Sequence, residues 1–315
     1  MRGGEDAGTF VPHMSVTVAV AQAVLGVAVL IYFVHHAAVS IQVSSVIASL
    51  AEELDASVDR LFPADAAEGD DAGEPGAPPA AETFPVRSRH EGYLQGVDVQ
   101  ALLRAARERG LLVRVQVSVG AFVARGDTLA TFHCGRGGGG EHGDALRKPF
   151  VVGHRRTPTQ DVEFSVQQIA DVAVRALSPG INDPFTAAVC LDRLGAALAR
   201  VAERPAPARV HRDGEGAARV WSRPPGFGDL VEAAFGPVRD YAGGSATVLV
   251  HMLRTLHRVA CHVRDGGRAE VVRAQAALVL ALADRTLHDD AARAAAGARH
   301  AEVEAALSRT SRTER

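Results

Sequence analysis

A helix–turn–helix segment at residues 176–194 (ALSPGINDPFTAAVCLDRL) contains the residue types that best fit a binding site. The polar residues of its turn are Ser178, Asn182, Asp183 and Thr186. Free N–H groups at the start of the second helix favour an anion, whereas the carboxylate of Asp183 favours a cation or the arginine of a partner. We therefore treat these four residues as a candidate functional turn.

A purely structural role explains the same turn. Pro179 and Gly180 are suited to end the first helix. Asp183 is suited to cap the second helix, and Pro184 lies in its first turn, where it loses no needed hydrogen bond. On the sequence alone both interpretations stay open.

Two histidines, His35 and His36, follow directly on a long apolar stretch and form a candidate pair at a membrane edge. Paired histidines in that position can sense pH or line the mouth of a pore. They can equally face lipid headgroups or pack beneath a soluble domain.

The remaining histidines and cysteines do not have the ligand spacing of a zinc site. His257 and Cys261 are one helical turn apart, with two ligands instead of four. A second group lies around a glycine run and comprises His133, Cys134 and His142. The run is not followed by the Gly-Lys-Ser/Thr of a phosphate-binding loop. We expect no metal site and no cofactor.

The sequence lacks the motifs of the common enzyme classes, including the Walker, Rossmann, HExxH, CxxC and GxSxG patterns. Ser245 in YAGGSATV lacks the following glycine of a nucleophile elbow. The net charge of −3 provides no basic field for nucleic acid. We expect a protein that is not an enzyme and does not bind nucleic acid, with a hydrolase or metal-dependent enzyme as an alternative.

The stretch Met14–Val34 contains no charged residue, and as a membrane helix it would tether the rest of the chain to the bilayer. As a helix it is about 31 Å long, which matches the hydrocarbon core of a bilayer. It has neither the basic start nor the cleavage site of a signal peptide. Apolar residues then recur every three or four positions, which predicts a juxtamembrane helix to about Arg60. Residues 1–62 are thus predicted to be a transmembrane helix and a juxtamembrane helix.

Four further regions follow. Residues 63–83 are rich in Pro, Gly and acidic side chains, which predicts a flexible linker. Residues 84–132 alternate with a period of two and form a predicted β domain, with a helical insertion that Asp98 caps. Residues 133–160 form a Gly-rich loop and connector. Residues 161–308 are predicted to be an α-helical bundle, whose first helix Asp161 can cap, with a hairpin at 209–221. A polar tail follows at 309–315.

The segment VSVGAFVARGDTLATF resembles the hairpin of biotinyl- and lipoyl-like barrel-sandwich domains. It lacks the lysine that attaches a carrier cofactor, so the resemblance implies architecture only. The predicted fold is a membrane α-helix plus an α+β soluble part, in which a small barrel-sandwich-like β domain precedes an α-helical bundle.

Longer motifs resemble a family of bacterial predicted membrane proteins known as domain of unknown function twenty-two fifty-four. They are FVPHMSVTVAV, IYFVHHAAVSIQV, RRTPTQDVEF and ALSPGINDPFTAAVCLDRLGAAL. The resemblance implies several membrane helices before a soluble region, of which we expect this chain to retain only the last. It implies a chain truncated at its N-terminus and brings no reaction or substrate.

We therefore predict an integral protein of the bacterial inner membrane with a soluble binding or assembly region. Its expected partners are the lipid bilayer and either a second copy or another membrane protein. A component of a transporter or channel is the alternative. The three cysteines, at irregular spacing, favour a soluble part in the reducing cytoplasm.

Overall fold

The computed structural model describes residues 13–40, 43–64, 82–134 and 142–313. The chain divides into two compact units, Met1–Val46 and Ile47–Arg315. Most of the predicted linker and the glycine run of the predicted loop lie outside the described residues, at 65–81 and 135–141.

Among the described residues, the first unit contains helix α1 (His13–Ser40) and the first four residues of the next helix, up to Val46. Within it, Met14–Phe33 is long and apolar enough to cross a bilayer, and no part of this stretch is buried in the protein. Leu25 and Val29, for example, are exposed by 64% and 58%. Within the described residues it is the one helix that meets this test.

The second unit is a mixed helix and sheet structure. Its helices are α2 (Val43–Leu61, from Ile47 onward in this unit), α3 (Val99–Glu108), α4 (Gly143–Arg147), α5 (Val162–Ala176), α6 (Pro184–Glu203), α7 (Phe227–Tyr241), α8 (Ala246–Ala260), α9 (Gly266–Thr286) and α10 (Asp290–Thr313). Its strands are β1 (Glu82–Arg87), β2 (Gly92–Val97), β3 (Leu112–Val115), β4 (Phe122–Val123), β5 (Thr128–Cys134), β6 (Phe150–Gly153), β7 (Val210–Arg212) and β8 (Ala218–Trp221).

Local sequence explains where the main helices begin. The side chains of Asp98, Asp161, Ser245 and Asp265 each accept a backbone N–H of the first turn of α3, α5, α8 and α9. Such N-caps satisfy donors that the helix itself leaves unpaired. Helices α2 and α5–α10 then bury one continuous core of Leu, Val and Ala side chains.

The described strands form two sheets and no closed barrel, and the barrel-sandwich-like detail of the β domain stays a prediction. The first sheet has the order β1-β5-β3-β8-β7, and the second has the order β4-β2-β6. The strands on either side of the turn at Gly126 belong to different sheets, because β4 pairs with β2 while β5 pairs with β1 and β3. The described strands therefore leave open edges at β1, β7, β4 and β6.

The hairpin of β7 and β8 extends the first sheet, although the sequence places it within the helical region. Strand β8 pairs with β3 in parallel, with Val113 opposite Val220. Val220 is fully buried in the core of the strand layer. The pairing joins segments about a hundred residues apart, so no local pattern indicates it.

Helices α6 and α8 approach closely at Gly195. A Cβ atom at this position would overlap the methyl group of Thr255 on α8. Leu194 and Leu253, on either side of the contact, are fully buried. Glycine is therefore required here for packing and not for its backbone conformation.

We predict that Gly195→Ala destabilises the protein by about 1–3 kcal/mol through overpacking. Adding Thr255→Ser removes the clashing methyl group and should recover most of the loss. Gly297→Ala in α10, where a Cβ meets nothing within 4 Å, is the control and should stabilise by about 0.5–1 kcal/mol. Chemical denaturation of the detergent-solubilised chain measures all three. Equal effects of Gly195→Ala and Gly297→Ala would contradict the close approach.

Candidate functional site

A cleft of about 680 Å³ lies between the strand layer and the helical layer of the second unit. We call it the acidic cleft. Its walls come from the segment after β3, from the start of α5, from the loop at 223–225 and from α7. Because these segments are distant in the chain, the site exists only once both layers have formed.

An ion pair fixes one wall of the acidic cleft. Nε and Nη2 of Arg156 donate to Oδ2 and Oδ1 of Asp161 at 2.7 and 2.9 Å. The side chain of Asp161 is only 3% exposed and also caps α5 by accepting the N–H of Phe164 at 3.0 Å. The guanidinium of Arg156 lies 5.0 Å from the centre of the Phe164 ring. A paired guanidinium is what allows a carboxylate to be buried here.

Gly120 of the strand layer lies directly against this ion pair. Its φ of +90° is in the left-handed region, and a Cβ would overlap the carboxylate of Asp161 and approach Nη2 of Arg156 to 2.8 Å. Only glycine both adopts this φ without strain and leaves room for the carboxylate of Asp161. The ion pair thus joins the strand layer to helix α5.

Two hydrogen bonds extend the network from the ion pair to Glu163. Nη1 of Arg156 donates to Oε1 of Gln167 at 2.6 Å, and Nε2 of Gln167 donates to Oε1 of Glu163 at 2.9 Å. Burial raises the pKa of Glu163 most, and the negative charges of Asp161 and Asp229 raise this pKa further. The positive charge of Arg156 acts in the opposite direction, but the pKa stays above its ordinary value. A raised carboxyl pKa means that Glu163 lowers folding stability as the pH rises above the ordinary glutamate range.

Helix α2 holds the connector that carries this network. The hydroxyl of Ser57 donates to the carbonyl of Pro158 at 3.0 Å, and Nη1 of Arg60 donates to the carbonyl of Thr159 at 2.7 Å. On the strand side, Oε1 of Gln160 accepts the N–H of Val97 at 2.9 Å. The connector is therefore fixed from both layers.

A second cavity of about 240 Å³ adjoins the acidic cleft, and we call it the apolar pocket. Phe62, Val97 and Val117 are among its lining residues. Its polar pair is Nε2 of His211 and Oγ of Ser222, which lie 3.0 Å apart. Both residues are on the β7–β8 hairpin, so a cross-strand hydrogen bond accounts for the pair, and burial lowers the pKa of His211.

The candidate functional turn lies outside both cavities, and its polar groups bond locally. Oδ1 of Asp183 accepts the N–H groups of Phe185 and Thr186 at 3.0 and 3.1 Å, and Oδ2 accepts the Thr186 hydroxyl at 2.6 Å. The Thr186 hydroxyl lowers the pKa of Asp183 most. The hydroxyl of Ser178 donates to the carbonyl of Arg175, and Asn182 has a φ of +48°.

These bonds give the turn a helix-linking role. They do not explain two large apolar side chains of the same motif, Ile181 and Phe185, which are exposed by 63% and 74%. The proposal that the turn binds a ligand or partner therefore remains a prediction.

Among the histidine and cysteine candidates, His257 and Cys261 do meet, with Nε2 and Sγ 3.7 Å apart. His35 and His36 lie in α1, and their side chains are outside the described residues. His133 is buried on β5, with Nδ1 2.9 Å from the hydroxyl of Thr83. Within the described residues, no three His, Cys, Asp or Glu side chains are arranged to hold a metal ion.

Sequence reasoning identified Asp161 only as a helix cap and did not identify Arg156, Glu163 or Gln167. The signal was present in the RRTPTQDVEF motif, where an arginine precedes the cap by five residues. What the motif does not indicate is the position of Gly120 against the pair, which depends on the two layers meeting.

We predict that Arg156→Met destabilises the protein by about 3 kcal/mol, because it leaves the buried carboxylate of Asp161 unpaired. The double variant Arg156→Met/Asp161→Asn should recover part of this loss, since it removes the charge and keeps a capping side chain. Arg89→Met is the control, because the Arg89–Asp144 pair is more than 60% exposed on both sides and should contribute less than about 1 kcal/mol. Denaturation midpoints measure the difference, and equal losses in both arginine variants would refute the assignment.

Comparison with known proteins places this chain in a family. The model described as "Predicted membrane protein (DUF2254)" matches residues 1–258. "Uncharacterized protein Mb1321c" of Mycobacterium bovis and "Uncharacterized protein Rv1290c" of Mycobacterium tuberculosis are each 34% identical over 310 residues. Each match covers 95% of this chain but 58% of the relative, so the chain spans somewhat over half their length. No solved structure matches the chain significantly. The chain belongs to the DUF2254 family of predicted membrane proteins.

Proposed function

We propose that this chain is an integral protein of the bacterial inner membrane, which α1 anchors and whose α+β unit is a binding module. The observation that supports the anchor is the exposure of an apolar helix. The 20 residues Met14–Phe33 lack charged side chains, and none of them is buried in the protein. In water such a surface is strongly unfavourable, whereas a bilayer covers it completely.

The acidic cleft and the adjoining apolar pocket support a binding role for the α+β unit. Concave sites with an apolar part and a few fixed polar groups are typical of ligand recognition. The network of Arg156, Asp161, Gln167 and Glu163 holds the polar groups in place before any ligand arrives. Such preorganisation reduces the entropic cost of binding.

Three free cysteines support a cytoplasmic position for the α+β unit, since a reducing compartment keeps thiols free. Cys134 and Cys190 are buried, and burial raises the pKa of Cys190 to about 12. Cys261, at the end of α8, is exposed. The chain therefore has one accessible thiol among its three cysteines, which makes its orientation measurable.

We predict that the double variant Leu25→Arg/Val29→Arg abolishes membrane insertion. Each arginine near the centre of a membrane helix costs about 2.5–3.5 kcal/mol on insertion scales. Leu278→Arg, at a 49% exposed position of α9, adds the same charge to the other unit and is the control. Carbonate extraction of bacterial membranes should leave the unmodified chain and the control in the pellet and release the double variant. A double variant that resists extraction would refute the anchor.

We predict that a membrane-impermeant maleimide labels Cys261 in inverted inner-membrane vesicles but not in intact spheroplasts. The α+β unit faces the medium only in the inverted vesicles if it is cytoplasmic. Cys261→Ser should remove the labelling, because the other two thiols are buried. Labelling in spheroplasts would place the unit on the opposite side of the membrane.

A further inference from the structure

The two adjoining cavities differ in chemistry, and this difference indicates what they bind. The apolar pocket is walled mainly by side chains such as Phe62, Val97, Val115 and Val117. The His211–Ser222 pair bond to each other, and burial favours the neutral imidazole. The pocket thus suits an uncharged apolar group.

The acidic cleft has an excess of negative charge. Five carboxylates line it, against one arginine, Arg223: Asp161, Glu163, Asp229, Glu232 and Asp240. The charges of two of them are neutralised by arginines that do not line the cleft. Arg156 pairs with Asp161, and Nη2 of Arg239 lies 3.2 Å from Oε1 of Glu232. Glu163, Asp229 and Asp240 remain against Arg223, which leaves a net negative surface.

The two cavities share part of their lining, so one ligand can contact both. The shared residues are Ser118, Val119, Gln160, Arg223, Pro224 and Pro225. Gln160 is fixed at this junction by the N–H of Val97. A molecule that crosses it meets apolar walls at one end and carboxylates at the other.

From this complementarity we propose that the site binds an amphipathic organic cation, with its apolar part in the apolar pocket and its ammonium group in the acidic cleft. This proposal rests on the binding role proposed above and specifies its ligand class. An amphipathic anion of the same shape is disfavoured, because its charge would face Glu163 and Asp229. A neutral analogue loses only the electrostatic attraction.

The chain contains its own reporter for the test. Its single tryptophan, Trp221, directly precedes Ser222 of the apolar pocket. Tryptophan fluorescence of the purified full chain can therefore follow titration with three short, water-soluble probes of equal length: hexylamine, 1-hexanol and hexanoate. Titration calorimetry provides an independent measurement of binding.

We expect hexylamine to bind at least tenfold more tightly than 1-hexanol, and hexanoate to bind most weakly. Glu163→Gln should remove most of the preference for hexylamine and leave 1-hexanol unchanged, and Asp240→Asn should reduce the same preference. Val117→Phe should fill the apolar pocket and weaken hexylamine and 1-hexanol alike. The control is Glu108→Gln, an exposed carboxylate on α3 that lines neither cavity, and it should change nothing.

Equal binding of the three probes, a preference for hexanoate, or a preference for hexylamine that survives Glu163→Gln would overturn the assignment of a cation. If 1-hexanol or hexanoate binds at least as tightly as hexylamine and Val117→Phe weakens that binding, the proposed binding role is retained while this ligand class is refuted. Absence of binding by all three probes at millimolar concentration would refute the ligand class, while the carbonate extraction above tests the anchor separately.

Discussion

The ion pair of Arg156 and Asp161 is the interaction on which the architecture of the α+β unit depends. The carboxylate of Asp161 has three roles, because it pairs with Arg156, caps α5 and lies against Gly120 of the strand layer. A buried carboxylate is costly unless it is paired and hydrogen-bonded, and here both conditions are met. The wall of the acidic cleft is fixed as a consequence, since the same guanidinium donates to Gln167 and Gln167 in turn donates to Glu163.

The helical layer depends on a different constraint, the packing of small side chains. Alanine and glycine leave little side-chain volume between helices, so the helices must approach closely to exclude voids. Gly195 against Thr255 is the clearest case, because even one methyl group would overlap. The same core also buries larger side chains such as Leu194 and Phe235, and its stability depends on the fit of many contacts.

Local sequence patterns are sufficient for features whose partners lie close together in the chain. The caps at Asp98, Asp161 and Asp183 are confirmed, because a capping side chain bonds to backbone groups only two or three residues away. The family is confirmed as well, since its motifs are contiguous stretches of the chain. The barrel-sandwich-like detail of the β domain stays a prediction, because the turn at Gly126 specifies a chain reversal but not which sheet each strand joins.

The sequence by itself determined the apolar helix, the starts of the main helices and the membership of the family. Each of these depends on residues that are close in the chain, through helical rise, capping or a continuous motif. Only the tertiary structure decided that β8 pairs with β3, that Gly120 meets the Arg156–Asp161 pair and that an acidic cleft adjoins an apolar pocket. These features join segments up to about a hundred residues apart, and burial and steric fit between distant segments leave no periodic signal in one sequence.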